Sequence, residues 1–368
     1  MAAKVYFIDL RANVQKNMMA KLDMLLEASG LSRVVGQRDL TAVKVHFGEL
    51  GNAAFIRPLY IRRVVAAIKQ AGGVPFLTDA NTLYSGSRSD AAHHLTSAIQ
   101  NGFAYAVVEA PLVIADGLRG KSEVSVDVYG KHFESVYIAK EIVEADTFVS
   151  VAHFKGHELS GFGGAIKNTG MGAASRKGKL AMHSTVSPQI NAENCIGCEA
   201  CVEHCSQQAL SVVDEIAAVD EAQCIGCGEC ILICPNEAIE VRWDQEIPTF
   251  LESLVEYTAG VLKNKAGKSL FVNFITDVSP ACDCYPANDA PIVKNIGVAA
   301  STDPIALDQA SVDLVNAEPG LANTQLGERI EPGGDKFKIL YPNVDWPIQL
   351  AYGEKLGLGS RQYELVRL

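Results

Sequence analysis

The chain has 368 residues, 48% apolar and 20% charged, which suits two domains or one large domain carrying an insertion and excludes a disordered chain. Its net charge of −11 is unevenly placed: residues 188–241 hold ten Asp or Glu and no Lys or Arg, while the remainder holds 33 acids against 32 bases. That acidity argues against nucleic acid as a partner, and the longest apolar stretch, residues 103–115, is broken by Glu109 and Pro111 and is too short to span a bilayer. The opening MAAKVYFIDL carries an acid inside a short apolar run and reads as a first strand, not as a secretory signal. Ten cysteines in such a chain point to metal ligands in a reducing cytoplasm rather than to disulfides.

In chain order, residues 5–10, 42–47, 75–78 and 112–115 read as strands. Residues 14–29 and 56–71 carry apolar side chains at helical spacing, closed by Gly30 and Gly72 as C-caps. Residues 89–100 read as a further helix, with Ser89 or Asp90 at its cap. The adjacent His93 and His94 there point about 100° apart, so one at most faces a site. This alternation predicts an α/β fold with mostly parallel sheet, in a body of one or two lobes. In such sheets ligands bind beyond the carboxyl ends of the strands. Three polar stretches occupy those places: residues 46–49 (HFGE), 78–82 (TDANT) and 152–157 (AHFKGH).

Residues 117–145 read as two short strands and a helical turn, and residues 147–151 as a buried strand. The next thirty residues read as a loop beginning HFKGHELSGFGGAIKNTGMG. Its glycines let the backbone approach a ligand closely, and Lys155, Lys167, Arg176, Lys177 and Lys179 add positive charge. An anion cradle or a plain solvated loop reads equally well from these residues.

Residues 188–242 then form a cysteine-rich module. Cys195, Cys198, Cys201 and Cys205 make one C-x2-C-x2-C-x3-C run, and Cys224, Cys227, Cys230 and Cys234 repeat it 29 residues later. This is the ligand spacing of a bacterial two-cluster ferredoxin. There the fourth thiolate of each run crosses to the other cluster. Cys195, Cys198, Cys201 and Cys234 are thus expected to hold one 4Fe–4S cluster, and Cys224, Cys227, Cys230 and Cys205 the other. Zinc sites also use C-x2-C pairs, but they have no use for a third cysteine in each run. Ser206 stands where the second run has Pro235, which loosens one corner without removing a ligand. The acidic surface would steer towards a redox partner with a basic face, or is simply solvated.

Beyond the module, residues 245–262 read as a helix, 270–275 and 296–300 as strands, and 304–316 as a helix opened by Asp303 and Pro304. A strand at 337–341 and a last helix at 348–356 complete the chain. The expected organisation is therefore an α/β domain (1–187 and 243–368) interrupted by the ferredoxin insertion (188–242). Cys282 and Cys284, with Asp277 and Asp283 nearby, would share a metal or supply a redox nucleophile; two inert cysteines are the plainer alternative. Asp308 has no reading beyond a guess at function.

The GFGGAIK of residues 161–167 resembles the glycine-rich lysine motif of the lactate racemase family, whose members tether a nickel-pincer cofactor to that lysine. The resemblance implies a cofactor or substrate held by Lys167 with Gly163, Gly164 and Asn168, an acid/base role for His157, and metal ligation by His183. Where those racemases grip a carboxylate with arginine, this sequence has Leu83; Arg88 could substitute. The whole chain resembles a second family, uncharacterised proteins common in anaerobes that join an α/β domain of unknown function to a two-cluster ferredoxin. The pieces are VKVHFGE (43–49), TDANTLY (78–84), GFGGAIKN (161–168), CDC (282–284) and STDPIALDQA (301–310). The reading these residues support is an oxidoreductase whose clusters feed a pocket at His153, His157, Lys167 and His183. An electron carrier docking a partner enzyme, and a racemase-like isomerase, are the alternatives. No G-x-G-x-x-G follows a strand, so a nicotinamide site is not indicated.

Overall fold

Short, mostly apolar runs buried on both faces make the central strands, while Asx N-caps at Asn17, Asp90, Asp303 and Asp335 open helices and Gly30 and Gly72 follow helix ends. The structure is a computed structural model and describes residues 2–183, 188–224, 226–241, 246–329 and 331–368. Its first part runs β1 (Ala3–Asp9), α1 (Met18–Ala28), α2 (Leu31–Val34), β2 (Leu40–Val45), α3 (Pro58–Gln70), β3 (Val74–Asp79), α4 (Ala91–Gln100), α5 (Tyr105–Val108) and β4 (Leu112–Ile114). There follow β5 (Glu123–Asp127), β6 (Ser135–Ala139), α6 (Lys140–Glu144), β7 (Thr147–His153), β8 (Lys155–His157), β9 (Gly161–Gly163), α7 (Ala165–Gly170) and α8 (Arg176–His183). The cysteine-rich segment supplies β10 (Gln189–Ile190), α9 (Ala200–Glu203), β11 (Leu210–Val213), β12 (Ile216–Val219), α10 (Glu229–Ile233) and β13 (Ile239–Glu240). The last part is α11 (Ile247–Leu262), β14 (Ser269–Ile275), β15 (Gly297–Ser301), α12 (Pro304–Ala317), α13 (Lys336–Leu340), α14 (Pro347–Lys355) and β16 (Tyr363–Arg367).

Eight strands form one sheet in the order β16-β1-β15-β14-β7-β2-β3-β4. Every pairing is parallel except those of β15, which runs antiparallel to β1 and β14. The body is therefore mixed α/β around a large, mostly parallel sheet. Strands from before and after the cysteine-rich segment interleave: β14 lies beside β7, and β1 beside β15. Alternate residues feed two apolar layers. Ala42, Phe148 and Phe271 face one, and Val43, Val149 and Val272 the other. β7 is buried at every position, and its polar side chains Thr147, Ser150 and His153 find hydrogen-bond partners inside the body instead of facing water.

Three expectations are corrected. Residues 337–341 are the helix α13 and not a strand, because Asp335 accepts the amides of Phe337 and Lys338 and caps the turn. The supposed loop after β7 is a β8–β9 hairpin followed by α7 and α8. The first helix starts only at Met18, where Asn17 accepts the amide of Ala20, and the strand β16, parallel to β1, was not anticipated.

Among the described residues, the cysteine-rich segment adds no strand to the main sheet. Its backbone follows the 29-residue repeat closely. Gly197 and Gly226 both have positive φ, as do Glu199 and Gly228, and Gln208 and Glu237. The amides of Cys195 and Cys224 donate to the carbonyls of Asn191 and Asp220. Its two ends lie side by side, Gln189 opposite Glu240 and Ile190 opposite Ile239.

Candidate functional site

The carboxyl ends of β7, β2 and β3 open into one cavity of about 830 Å³. All three polar stretches singled out from the sequence reach it: His46 and Glu49, Asp79 and Thr82, Lys155 and His157. Lys167, Asn168 and His183 come in from α7 and α8, and Gly163 and Gly164 from the turn before α7. The turn is held from behind by Asp308 of α12. Its buried carboxylate accepts the amides of Ala165 (2.7 Å) and Ile166 (2.9 Å) and the side-chain amide of Asn273 (2.8 Å). A Cβ at Gly164 would sit 2.3 Å from that carboxylate, so only glycine lets the turn reach it. Asp308 thereby has a positioning role that a sequence reading could not supply, and burial pushes its pKa up to about 6.

Cations dominate the cavity wall, and most are spoken for. Lys44 pairs with Asp79 (2.9 Å), Arg88 with Glu49 (2.9 Å) and Lys155 with Asp283 (3.1 Å). Asn168 braces Lys44, accepting from its amine and donating to its carbonyl and to the Ser150 hydroxyl. Lys167 forms no ion pair among the described residues; its amine donates to Cys282 Sγ at 3.3 Å. Burial, and then the nearby Lys155 charge, bring its pKa down to about 7. Arg88 is committed to Glu49 and the Tyr84 hydroxyl.

The histidines divide. His157 Nδ1 accepts the backbone amides of Leu159 and Ser160, which places the ring proton on Nε2. Burial and the neighbouring Lys167 charge hold its pKa well below the usual range, so the ring is neutral. His183 stacks on Phe250 at 4.9 Å, and burial lowers its pKa to about 3. His153 does not line the cavity. Its Nδ1 faces Asp283 (2.8 Å) and its Nε2 the Thr276 carbonyl (2.8 Å), which clamps the loop carrying Cys282 and Cys284. Those two cysteines are joined to each other as a disulfide, so in this state neither offers a thiolate to a metal. His94 is buried near Asp79, and His93 lies exposed beside its cap Asp90. Sequence reasoning gave no role to Lys44, Tyr84 or Met171, whereas Lys179, counted among the loop's cations, does reach the cavity. Lys44 carried a signal, a lone charge inside an apolar strand.

The eight remaining cysteines gather around two small cavities. One is lined by Cys195, Cys198, Cys201 and Cys234, the other by Cys205, Cys224, Cys227 and Cys230. Backbone amides donate to sulfur at Cys195, Cys205 and Cys234 (3.2–3.3 Å). The second group faces the body. Gly228 packs on Arg176 and Leu83, and Glu229 pairs with Arg119 (3.3 Å) and Lys121 (2.9 Å). Arg176 is itself buried and donates to the carbonyls of Thr82, Arg119 and Ser89. Leu83, which also lines the main cavity, and Leu180 share an apolar cluster with Cys201, Leu210 and Ile231. Among the described residues no three His, Cys, Asp or Glu side chains converge on a point suited to a single metal ion, His183 included.

Residues 41–313 match the family model described as a domain of unknown function, DUF362. The chain belongs to the DUF362 family. No curated protein matches this DUF362 chain. Among solved structures it is similar to the lactate racemase apoprotein of Thermoanaerobacterium thermosaccharolyticum, with a TM-score of 0.37 and 14% identity over 74% of this chain and 51% of that one. The chain thus spans about half the racemase's length, and a likeness of that degree carries no chemistry across. No described helix is long and apolar enough to cross a membrane.

Proposed function

We propose that this DUF362 protein is an iron–sulfur oxidoreductase whose substrate occupies the cavity at Lys167. The observation carrying this reading is the partition of the eight cysteines. Each small cavity is lined by three thiols of one run and the fourth of the other, as the ferredoxin spacing requires. The residues fit two 4Fe–4S clusters in a second respect, since the amides aimed at Cys195, Cys205 and Cys234 would stabilise ligated thiolates. Each thiolate of such a cluster binds its own iron, so the four need not converge on one point as single-ion ligands do. When bound, the clusters would supply electrons one at a time.

The chain's own residues bind and protonate. An anionic small molecule suits a wall where Lys167 has no carboxylate partner and Lys179 donates only to the Ala174 carbonyl among the described contacts. Lys167, with its pKa near 7, can hold or release a proton at neutral pH, which any reduction that adds hydrogen needs. Neutral His157 presents Nε2–H and orients a substrate oxygen. The acidic cysteine-rich segment suits a redox partner with a basic face.

Metal analysis of anaerobically purified protein should give about eight irons per chain. About four irons, or zinc in place of iron, would sink the two-cluster reading. Loss of electron transfer to a pocket substrate in Lys167→Ala, with iron retained, is the expected outcome for an enzyme; unchanged activity would favour a carrier that docks a partner. Nickel with a mass adduct on Lys167 would instead favour a tethered-cofactor isomerase.

A further inference from the structure

The disulfide between Cys282 and Cys284 sits in the wall of the main cavity, and its two sulfurs are not equivalent. Cys284 lines the cavity and is half-buried, whereas Cys282 is 1% exposed and has the Lys167 amine 3.3 Å from its sulfur. Their Cα atoms stand 5.2 Å apart, within the span a disulfide bridges. The segment does not depend on that bond for its shape. Asp283, between the two cysteines, is fully buried and held by His153 and Lys155. Its carbonyl accepts the Glu49 amide (3.0 Å), and the Cys284 carbonyl accepts the Tyr84 hydroxyl (3.1 Å). Opening the disulfide therefore leaves both sulfurs in place, which a pair that cycles between two states requires. A pair serving only to staple the loop would need none of these supports.

We propose that Cys282 and Cys284 form a dithiol–disulfide exchange site for a small thiol or disulfide substrate, with Cys284 as the sulfur that bonds to substrate and Cys282 as the leaving thiolate beside Lys167. In the reductive direction a substrate thiolate attacks Cys284 Sγ. The bond to Cys282 breaks, and its electron pair leaves on Cys282 Sγ. The Lys167 ammonium stabilises that thiolate or protonates it. A second substrate thiolate attacks the substrate sulfur of the mixed disulfide, releasing Cys284 as a thiolate that takes a proton from water. Two substrate thiols become one disulfide, and the protein disulfide becomes two thiols. The reverse sequence lets the reduced pair reduce a disulfide admitted to the cavity. This site needs no cluster chemistry and stands independently of the electron-transfer reading.

The test uses the full chain, purified anaerobically, with iron content followed throughout. The protein is poised in mixtures of reduced and oxidised dithiothreitol, alkylated with N-ethylmaleimide, and digested for mass spectrometry. The peptide holding Cys282 and Cys284 should gain both labels together in a single two-electron transition. Glutathione disulfide should form a mixed disulfide at Cys284 in Cys282→Ser, and at Cys282 in Cys284→Ser about tenfold more slowly. Opening of the wild-type disulfide by glutathione should slow about tenfold in Lys167→Ala and little in Lys167→Arg, which keeps the charge. Independent labelling of the two cysteines at every poise would overturn the proposal, and this arm needs no variant. Equal trapping at the two sulfurs, or a Lys167→Ala rate equal to wild type with iron retained, would also overturn it.

Discussion

Lys167 owes its chemistry to where α7 begins. The turn before that helix brings the amine into a closed cationic wall, and burial lowers its pKa to about 7. An exposed lysine gains neutral amine up to its ordinary pKa of about 10.4. The rate of Lys167 arylation by trinitrobenzenesulfonate, which attaches a trinitrophenyl group and releases sulfite, should instead level off one to two pH units above about 7, read by peptide mass spectrometry; continued increase to pH 10 would contradict it. Asp308 is the second residue whose role is set by contact. Three N–H groups converge on its carboxylate, and Asn in its place would turn an N–H towards one of them. Asp308→Asn should lose about 1–3 kcal/mol in urea unfolding, the cost of one unpaired buried donor. Because its folded pKa, about 6, lies above the ordinary 3.8, its contribution is fully present below about pH 4 and is lost as pH rises through 6.

At the scale of elements, caps and periodicity were legible and contacts were not. Asp90 accepts the amides of Ala92 and His93 at the start of α4, and Asp303 that of Ala306 in α12, as their positions before apolar runs implied. Residues 337–341 read as a strand because FKILY offers too few residues to separate period two from a helical turn. The 29-residue repeat extends from cysteines to backbone, yet its two copies meet different surroundings. Glu199 takes positive φ on an exposed corner, while Gly228 takes it against Arg176, whose Cδ would be 3.1 Å from an added Cβ. Gly228→Ala should therefore cost about 1–3 kcal/mol, seen as a lower urea midpoint for the cysteine-rich segment, whereas Glu199→Gly should cost nothing measurable. Equal effects at the two sites would show that the contact with the body is unimportant.

At the scale of the molecule, the main sheet draws strands from both flanks of the cysteine-rich segment, and the segment's ends are paired neighbours in β10 and β13. Replacing residues 192–237 by a short turn should leave the far-UV circular dichroism of an α/β body and the reactivity of Lys167. The melting temperature should fall, because Leu83 and Leu180 lose their apolar cover. Collapse of the whole fold would show that the body depends on the segment. The sequence alone determined the class of fold, the strand ends that carry polar residues, and the repeated spacing of eight cysteines. These are local signals: periodicity, capping and ligand spacing are written within a few tens of residues. Tertiary structure decided the rest. It put His153 behind the cavity and His157 in it, joined Cys282 to Cys284, set Lys167 against that pair, and made Asp308 the support of the glycine turn. Lys167 and Cys282 stand 115 positions apart, His153 and Asp283 130, and Ile166 and Asp308 142, while the two neighbouring cysteines meet through the conformation of a packed loop; no local pattern carries that information.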